Sequence, residues 1–75
     1  MNIIAFGIIA EKTGNATLSF ANCNNLETLK AMLFQEFPEL KELSFLISVN
    51  RKIIHGNMQL NEGDEIALLP PFSGG

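Results

Sequence analysis

The sequence has little of the chemistry from which most enzyme active sites are built. It contains no Trp or Tyr, one cysteine (Cys23) and one histidine (His55). A single cysteine excludes an internal disulfide bond and a metal cage made of several cysteines. Cys23 and His55 form a conceivable nucleophile pair, but no third residue is marked out to orient them. We interpret Cys23 as a packing residue and His55 as a solvated turn residue. We do not expect the chain to be an enzyme on its own.

Positive charge is also scarce. Five Lys and Arg stand against eight Asp and Glu, which gives a formal net charge of −3. The five cations are scattered along the chain, whereas nucleic-acid binding needs several on one face. No apolar run approaches the length that spans a bilayer, and the N-terminus lacks a basic signal-peptide start. We therefore expect no nucleic-acid partner, no membrane partner and a cytoplasmic location.

Acidic residues cluster at one place, where Glu62, Asp64 and Glu65 surround Gly63. A calcium loop needs oxygen ligands at alternating positions and a distal Glu, and this spacing is absent. The cluster is interpreted as a turn before a strand. No metal and no cofactor are expected to be bound by this chain.

With 75 residues the chain has room for one domain, taken as residues 1–75. Hydrophobic periodicity predicts strands over 2–9, 16–20, 45–49, 52–55 and 65–69, a helix over 26–37 and a short helical turn over 38–43. Asn24 or Asn25 can cap the helix, and Pro38 ends it. The first and last strands are apolar at almost every position, which predicts that both faces are covered and that they pair in parallel. The fold class is α+β: a mixed sheet of about five strands with one main helix across one face.

The last residues, 70–75, form a distinct segment. Pro70 and Pro71 lack the N–H groups that a strand needs, so the sheet cannot continue through them. Gly74 and Gly75 carry no β-carbon and can thread a narrow channel. The segment is predicted to be a flexible tail.

Several motifs occur in a fixed order along the chain. They are Phe6-Gly7, Glu11, Gly14, Val49-Asn50-Arg51 and the run Gly63-Asp64-Glu65, an apolar strand, Pro70-Pro71 and Gly74-Gly75. With these motifs the whole chain resembles the ubiquitin-like sulfur carriers, most closely the small-subunit family of molybdopterin synthase (the MoaD family). Ala10 departs from the family, whose members often carry Arg at that position.

The resemblance implies a β-grasp fold and a role for Gly75. An activating enzyme similar to ubiquitin E1 would use ATP to adenylate the Gly75 carboxylate. A persulfide sulfur donor would then displace AMP and leave a thiocarboxylate. Inside the large synthase subunit, that sulfur would pass to cyclic pyranopterin monophosphate during molybdenum cofactor biosynthesis, with Gly74 threading the channel. The family forms a heterotetramer of two small and two large subunits.

The resemblance also implies a docking surface for the large subunit. By position it consists of Phe6, Ile53, Leu69, Pro70, Pro71, Phe72 and Ser73, with Phe72 anchoring the tail. Three alternatives stay open at this point. They are a sulfur carrier for thiazole (thiamine) synthesis, a ubiquitin-like protein modifier and a stand-alone enzyme that uses Cys23 and His55.

Overall fold

The protein is described by a computed structural model covering residues 1–21 and 23–71. Its elements are β1 (Asn2–Ala5), α1 (Ile8–Thr13), β2 (Thr17–Ser19), α2 (Leu26–Glu36), a 3-10 turn (Pro38–Glu42), β3 (Leu46–Val49), β4 (Lys52–Ile54) and β5 (Ile66–Leu69). The predicted succession of strands around α2 is confirmed, and a second helix, α1, lies between the first two strands.

The strands form one five-stranded sheet in the order β2-β1-β5-β3-β4. β1 and β5 are parallel, with Ile3 opposite Ile66 and Ala5 opposite Leu68. The other neighbouring strands are antiparallel. The predicted parallel pairing of the first and last strands is confirmed, and the last strand is the central one.

The first strand is shorter than predicted. β1 ends at Ala5, so the expectation of a strand over 2–9 is wrong. The physical reason is Gly7, whose φ of 58° and ψ of −135° are open to glycine but not to residues with a side chain. The chain turns there, and the isoleucine-rich segment continues as α1. Gly14, with φ 83°, ends that helix by donating its N–H to the Ala10 carbonyl.

α2 begins and ends where local chemistry requires. Asn25 is its N-cap, and its side-chain Oδ1 accepts a hydrogen bond from the backbone N–H of Thr28 at 2.9 Å. A second side chain, Asn57, accepts from the N–H of Glu27 at 2.9 Å. The helix ends before Pro38, as predicted, because proline lacks the N–H that the next turn needs.

The hydrophobic core lies between α2 and one face of the sheet. Its fully buried large side chains are Ile3, Ile9, Leu26, Leu29, Leu33, Leu40, Ile66 and Leu68. On the opposite face, Ile4 of β1 is 38% exposed. The prediction that both faces of the first strand are covered is therefore wrong, since Ile4 lies on the face away from α2.

Candidate functional site

The face of the sheet that lies away from α2 is called the open face here. Directly opposed residues on neighbouring strands share a face. Ile4 lies opposite Ala67, Ala67 opposite Ser48, and Ser48 opposite Ile53. This row crosses four strands, with two small, buried residues in its middle and an exposed isoleucine at each end. The row therefore presents exposed apolar side chains on β1 and β4, on either side of two small residues.

A second row lies next to it, at the end of the sheet where β5 finishes. Leu69 is opposite Leu46. Phe6 follows β1 and donates its N–H to the Leu68 carbonyl at 3.1 Å, which continues the parallel pairing and places Phe6 beside Leu69. Phe6 is 46% exposed and Leu69 is half-buried. Phe6 is thus the most exposed large apolar side chain of the described residues, and it lies where the C-terminal segment leaves the sheet.

The start of that segment is held against the turn after β1. A β-carbon built on Gly7 would lie 2.8 Å from Cγ of Pro70, closer than two carbons approach in proteins. The Pro70 ring therefore occupies the space that a side chain at position 7 would take. Pro70 is half-buried and Pro71 is exposed. This contact holds Pro70 beside the turn that follows β1.

The opposite end of the sheet is closed by a polar network. Asn50 and Arg51 form the turn between β3 and β4, with φ values of 52° and 70°. The Asn50 side chain donates to Asp64 Oδ1 at 3.0 Å and accepts from the Glu65 N–H at 3.0 Å. Asp64 Oδ2 accepts from the Asn61 N–H at 2.7 Å. These bonds hold the acidic segment as a turn, as interpreted from the sequence.

The same hydrogen bonds affect the acidity of Asp64. The Asn61 N–H, and then the Asn50 side chain, stabilise the carboxylate and lower the pKa of Asp64 from its ordinary value of 3.8. Among residues 1–21 and 23–71, no group of three His, Cys, Asp or Glu side chains is arranged to hold a metal ion.

Cys23 and His55 do not form a nucleophile pair in the described part of the chain. Cys23 is half-buried and packs against the core, and burial raises the pKa of its thiol, opposed in part by the N-terminal ammonium group. A raised pKa disfavours the reactive thiolate. His55 is exposed beside Gly56, and within the described residues no hydrogen bond joins Cys23 to His55. This geometry favours the interpretation of Cys23 as a packing residue.

The docking residues named from the resemblance fall into two groups. Phe6, Ile53 and Leu69 lie on the open face, and Pro70 and Pro71 follow directly from it. Phe72, Ser73, Gly74 and Gly75 lie outside the described residues. Their roles stay predictions.

Sequence reasoning missed two features of this surface. The apolar pattern predicts that Ile4 is covered, but one long helix can cover only one of the two faces of the sheet. The prediction of a continuous strand over 2–9 gives Gly7 no role in leading the chain out of β1. Both were hidden by the apolar run around them, which resembles a continuous buried strand.

A mixed five-stranded sheet in this order, with α2 across one face, is the architecture of a ubiquitin-like β-grasp protein. Residues 3–75 match the ThiS family. The chain belongs to that family of small, non-catalytic, ubiquitin-like sulfur carriers.

Solved structures agree with this assignment. The chain is 35% identical to a chain in the complex of subunits 1 and 2 of molybdopterin-converting factor from Helicobacter pylori, covering 99% of this chain and 96% of that one with a TM-score of 0.73. SAMP1 from Haloferax volcanii is 24% identical, with 99% and 97% covered and a TM-score of 0.75. A putative molybdopterin converting factor subunit 1 from Pyrococcus furiosus is 16% identical, with 93% and 94% covered and a TM-score of 0.79. The last two show the shared fold. Separately, none of the helices in the described residues has the length and apolar character to cross a membrane.

Proposed function

We propose that this protein is the sulfur-carrier subunit of a molybdopterin synthase. The observation that carries the proposal is the apolar open face, which lies next to Pro70. Pro70 begins the C-terminal segment, whose sequence ends in Gly74-Gly75. An exposed apolar surface of this kind is suited to a protein partner. The similarity to a chain of the molybdopterin-converting factor complex favours this role over thiazole synthesis.

The chemistry takes place at the Gly75 carboxyl group. A carboxylate resists nucleophilic attack because it is negatively charged, so it must first be activated. Its oxygen attacks the α-phosphorus of ATP on an E1-like enzyme, which releases pyrophosphate and forms an acyl adenylate. A protein persulfide then attacks the acyl carbon and displaces AMP. A thiol cleaves the resulting S–S bond, which leaves the thiocarboxylate on Gly75 and a disulfide on the donor side.

The large subunit would cover the open face through Phe6, Ile53 and Leu69. Pro70 and Pro71 would direct the tail into its active site, with Phe72 and Ser73 in contact along the entrance and Gly74 in the narrowest part. The net charge of −3 fits this division of labour. Binding of the anionic pterin needs several positively charged side chains close together, and in this chain the Lys and Arg residues are scattered along the sequence. The partner would therefore supply those charges. The assembled synthase would be a heterotetramer.

The test is intact-mass measurement after incubation with the activating enzyme, ATP and a persulfide donor. We expect a species heavier by one oxygen-to-sulfur exchange, located in the C-terminal fragment. It should be lost when Gly75 is deleted and kept in a Lys12→Ala control. Sulfur bound at Cys23 instead, or an unchanged mass, would contradict the proposal.

Two further readouts separate the alternatives. Incubation of the thiocarboxylate form with the large subunit and cyclic pyranopterin monophosphate should yield molybdopterin. A carrier of the thiazole pathway would keep its thiocarboxylate under these conditions. A protein modifier would give covalent conjugates that survive denaturing electrophoresis. A carrier subunit gives a stoichiometric complex without a covalent link to its partner.

A further inference from the structure

A groove lies between α2 and β4, on the helix-covered side of the sheet and away from the open face. Its volume is about 420 Å³. Its lining includes Leu26, Lys30, Phe34, Phe45, Ile54 and His55. Phe34 and Phe45 meet edge to face, with ring centroids 6.1 Å apart, and both line the groove. The proposed sulfur transfer makes no use of this groove.

β4, which borders the groove, is an edge strand. The tight Asn50–Arg51 turn makes Val49 and Lys52 a hydrogen-bonded pair, and such pairs alternate along an antiparallel ladder. Ile53, one residue further, therefore directs its N–H and C=O away from β3. No strand of the described residues pairs with this edge. An extended peptide can add to it through backbone hydrogen bonds.

The lining of the groove carries a positive charge, whereas the whole chain has a net negative charge. Lys30 lines the groove, and no carboxylate does. Lys52 lies opposite the buried Val49, which places it on the same side of the sheet as the groove. Within residues 1–21 and 23–71 the ion pair found is Arg51 with Glu65, so neither lysine is neutralised there. Lys30 thus lines the groove, and Lys52, two residues before Ile54 on β4, lies on the same side of the sheet.

We propose that this groove binds an extended peptide segment of a partner protein, with alternating aliphatic residues and flanking carboxylates, as an added strand on β4. The apolar side chains would lie over Phe34, Phe45 and Ile54, and the carboxylates would lie near Lys30 and Lys52. The proposal does not rest on the sulfur-carrier function. The groove and the open face lie on opposite sides of the sheet and meet at β4, where Ile53 would bond the peptide through its backbone and lies on the open face.

The test is a titration of the ¹⁵N-labelled full chain, followed by NMR, with a capped peptide of alternating Val and Ile flanked by two Asp on each side. A matched peptide carries Lys in place of Asp. We expect saturable shifts at Ile53, Ile54 and His55, slower hydrogen exchange of the Ile53 N–H, and preference for the acidic peptide by about tenfold or more. Binding should weaken as salt rises, since the lysines are exposed.

Two variants assign the effect. Lys30→Glu should weaken binding by about tenfold, on the scale of reversing one charge at a contact, whereas Lys41→Glu on the 3-10 turn should leave it unchanged. The amide spectra of both variants report whether they fold. Equal binding of the lysine peptide, shifts centred on Phe6 and Leu69, an unprotected Ile53 N–H, or no saturation would each overturn the proposal.

Discussion

Phe6 is the residue whose replacement best tests the open face as a docking surface. Its side chain lies at the end of the sheet from which the tail departs, beside Leu69, and 46% of the residue is exposed. Phe6→Ala removes most of this exposed apolar area and leaves the β-strand pairing of the backbone intact. We expect affinity for the large subunit to fall while the fold is preserved.

The magnitude follows from the exposed area. A phenylalanine buries about 200 Å² when fully covered, so the exposed part of Phe6 corresponds to about 90 Å². At about 25 cal/mol per Å², covering that area contributes about 2 kcal/mol to binding. The dissociation constant for the large subunit should therefore rise about 30-fold in Phe6→Ala.

The assay is isothermal titration calorimetry with the purified large subunit. Met32→Ala is the matched control, because Met32 is a partly exposed apolar residue of α2, on the other side of the sheet. Its dissociation constant should match that of the unmodified protein. An unchanged affinity for Phe6→Ala, or an equal loss in Met32→Ala, would refute the assignment of the interface to the open face.

Three further predictions concern stability. Asn25→Ala removes the side-chain acceptor at the start of α2 and should lower the free energy of unfolding, measured by urea denaturation, by about 1 kcal/mol. The control variant Asn15→Ala, at an exposed position, should keep the free energy of unfolding of the unmodified protein. The pKa of Asp64 is lowered in the folded state, so its carboxylate stabilises the fold above pH 3.8 and this contribution is lost as the pH falls through the folded pKa. The difference in unfolding free energy between wild type and Asp64→Asn should therefore shrink below about pH 4, and a constant difference would contradict the argument. Arg51→Gly removes the strain of a positive φ of 70° and also removes an exposed ion pair that contributes little energy. The free energy of unfolding should therefore rise by about 0.5 kcal/mol. A clear decrease would show that the ion pair with Glu65 contributes more than the strain costs.

Features set by neighbouring residues were predictable from the sequence. Asn25 and Pro38 mark the two ends of α2 because capping and the missing N–H of proline act within one helical turn. The parallel pairing of β1 with β5 followed from two apolar runs at opposite ends of the chain. The two helix ends needed no knowledge of distant contacts, whereas the strand pairing joins residues far apart in the sequence and was predicted from the apolar pattern of both strands.

Two other features that depend on tertiary contacts could not be predicted from the sequence. The strand predicted over 2–9 ends at Ala5, because the conformation of Gly7 and its contact with Pro70 are set by residues far apart in sequence. The exposure of Ile4 depends on which sheet face α2 covers, and apolar character alone does not decide that. The docking residues themselves came from the resemblance, and the structure adds that Phe6, Ile53 and Leu69 share one face.

The position of β5 in the middle of the sheet has a consequence for folding. β1 and β2 form one antiparallel pair and β3 and β4 another, and within the described sheet these two pairs meet only through β5. During synthesis, neither pair can join the other until residues 66–69 have left the ribosome. A chain interrupted before that point lacks the strand that unites its halves. The strand that leads into Pro70 and Pro71 is thus also the one that completes the sheet.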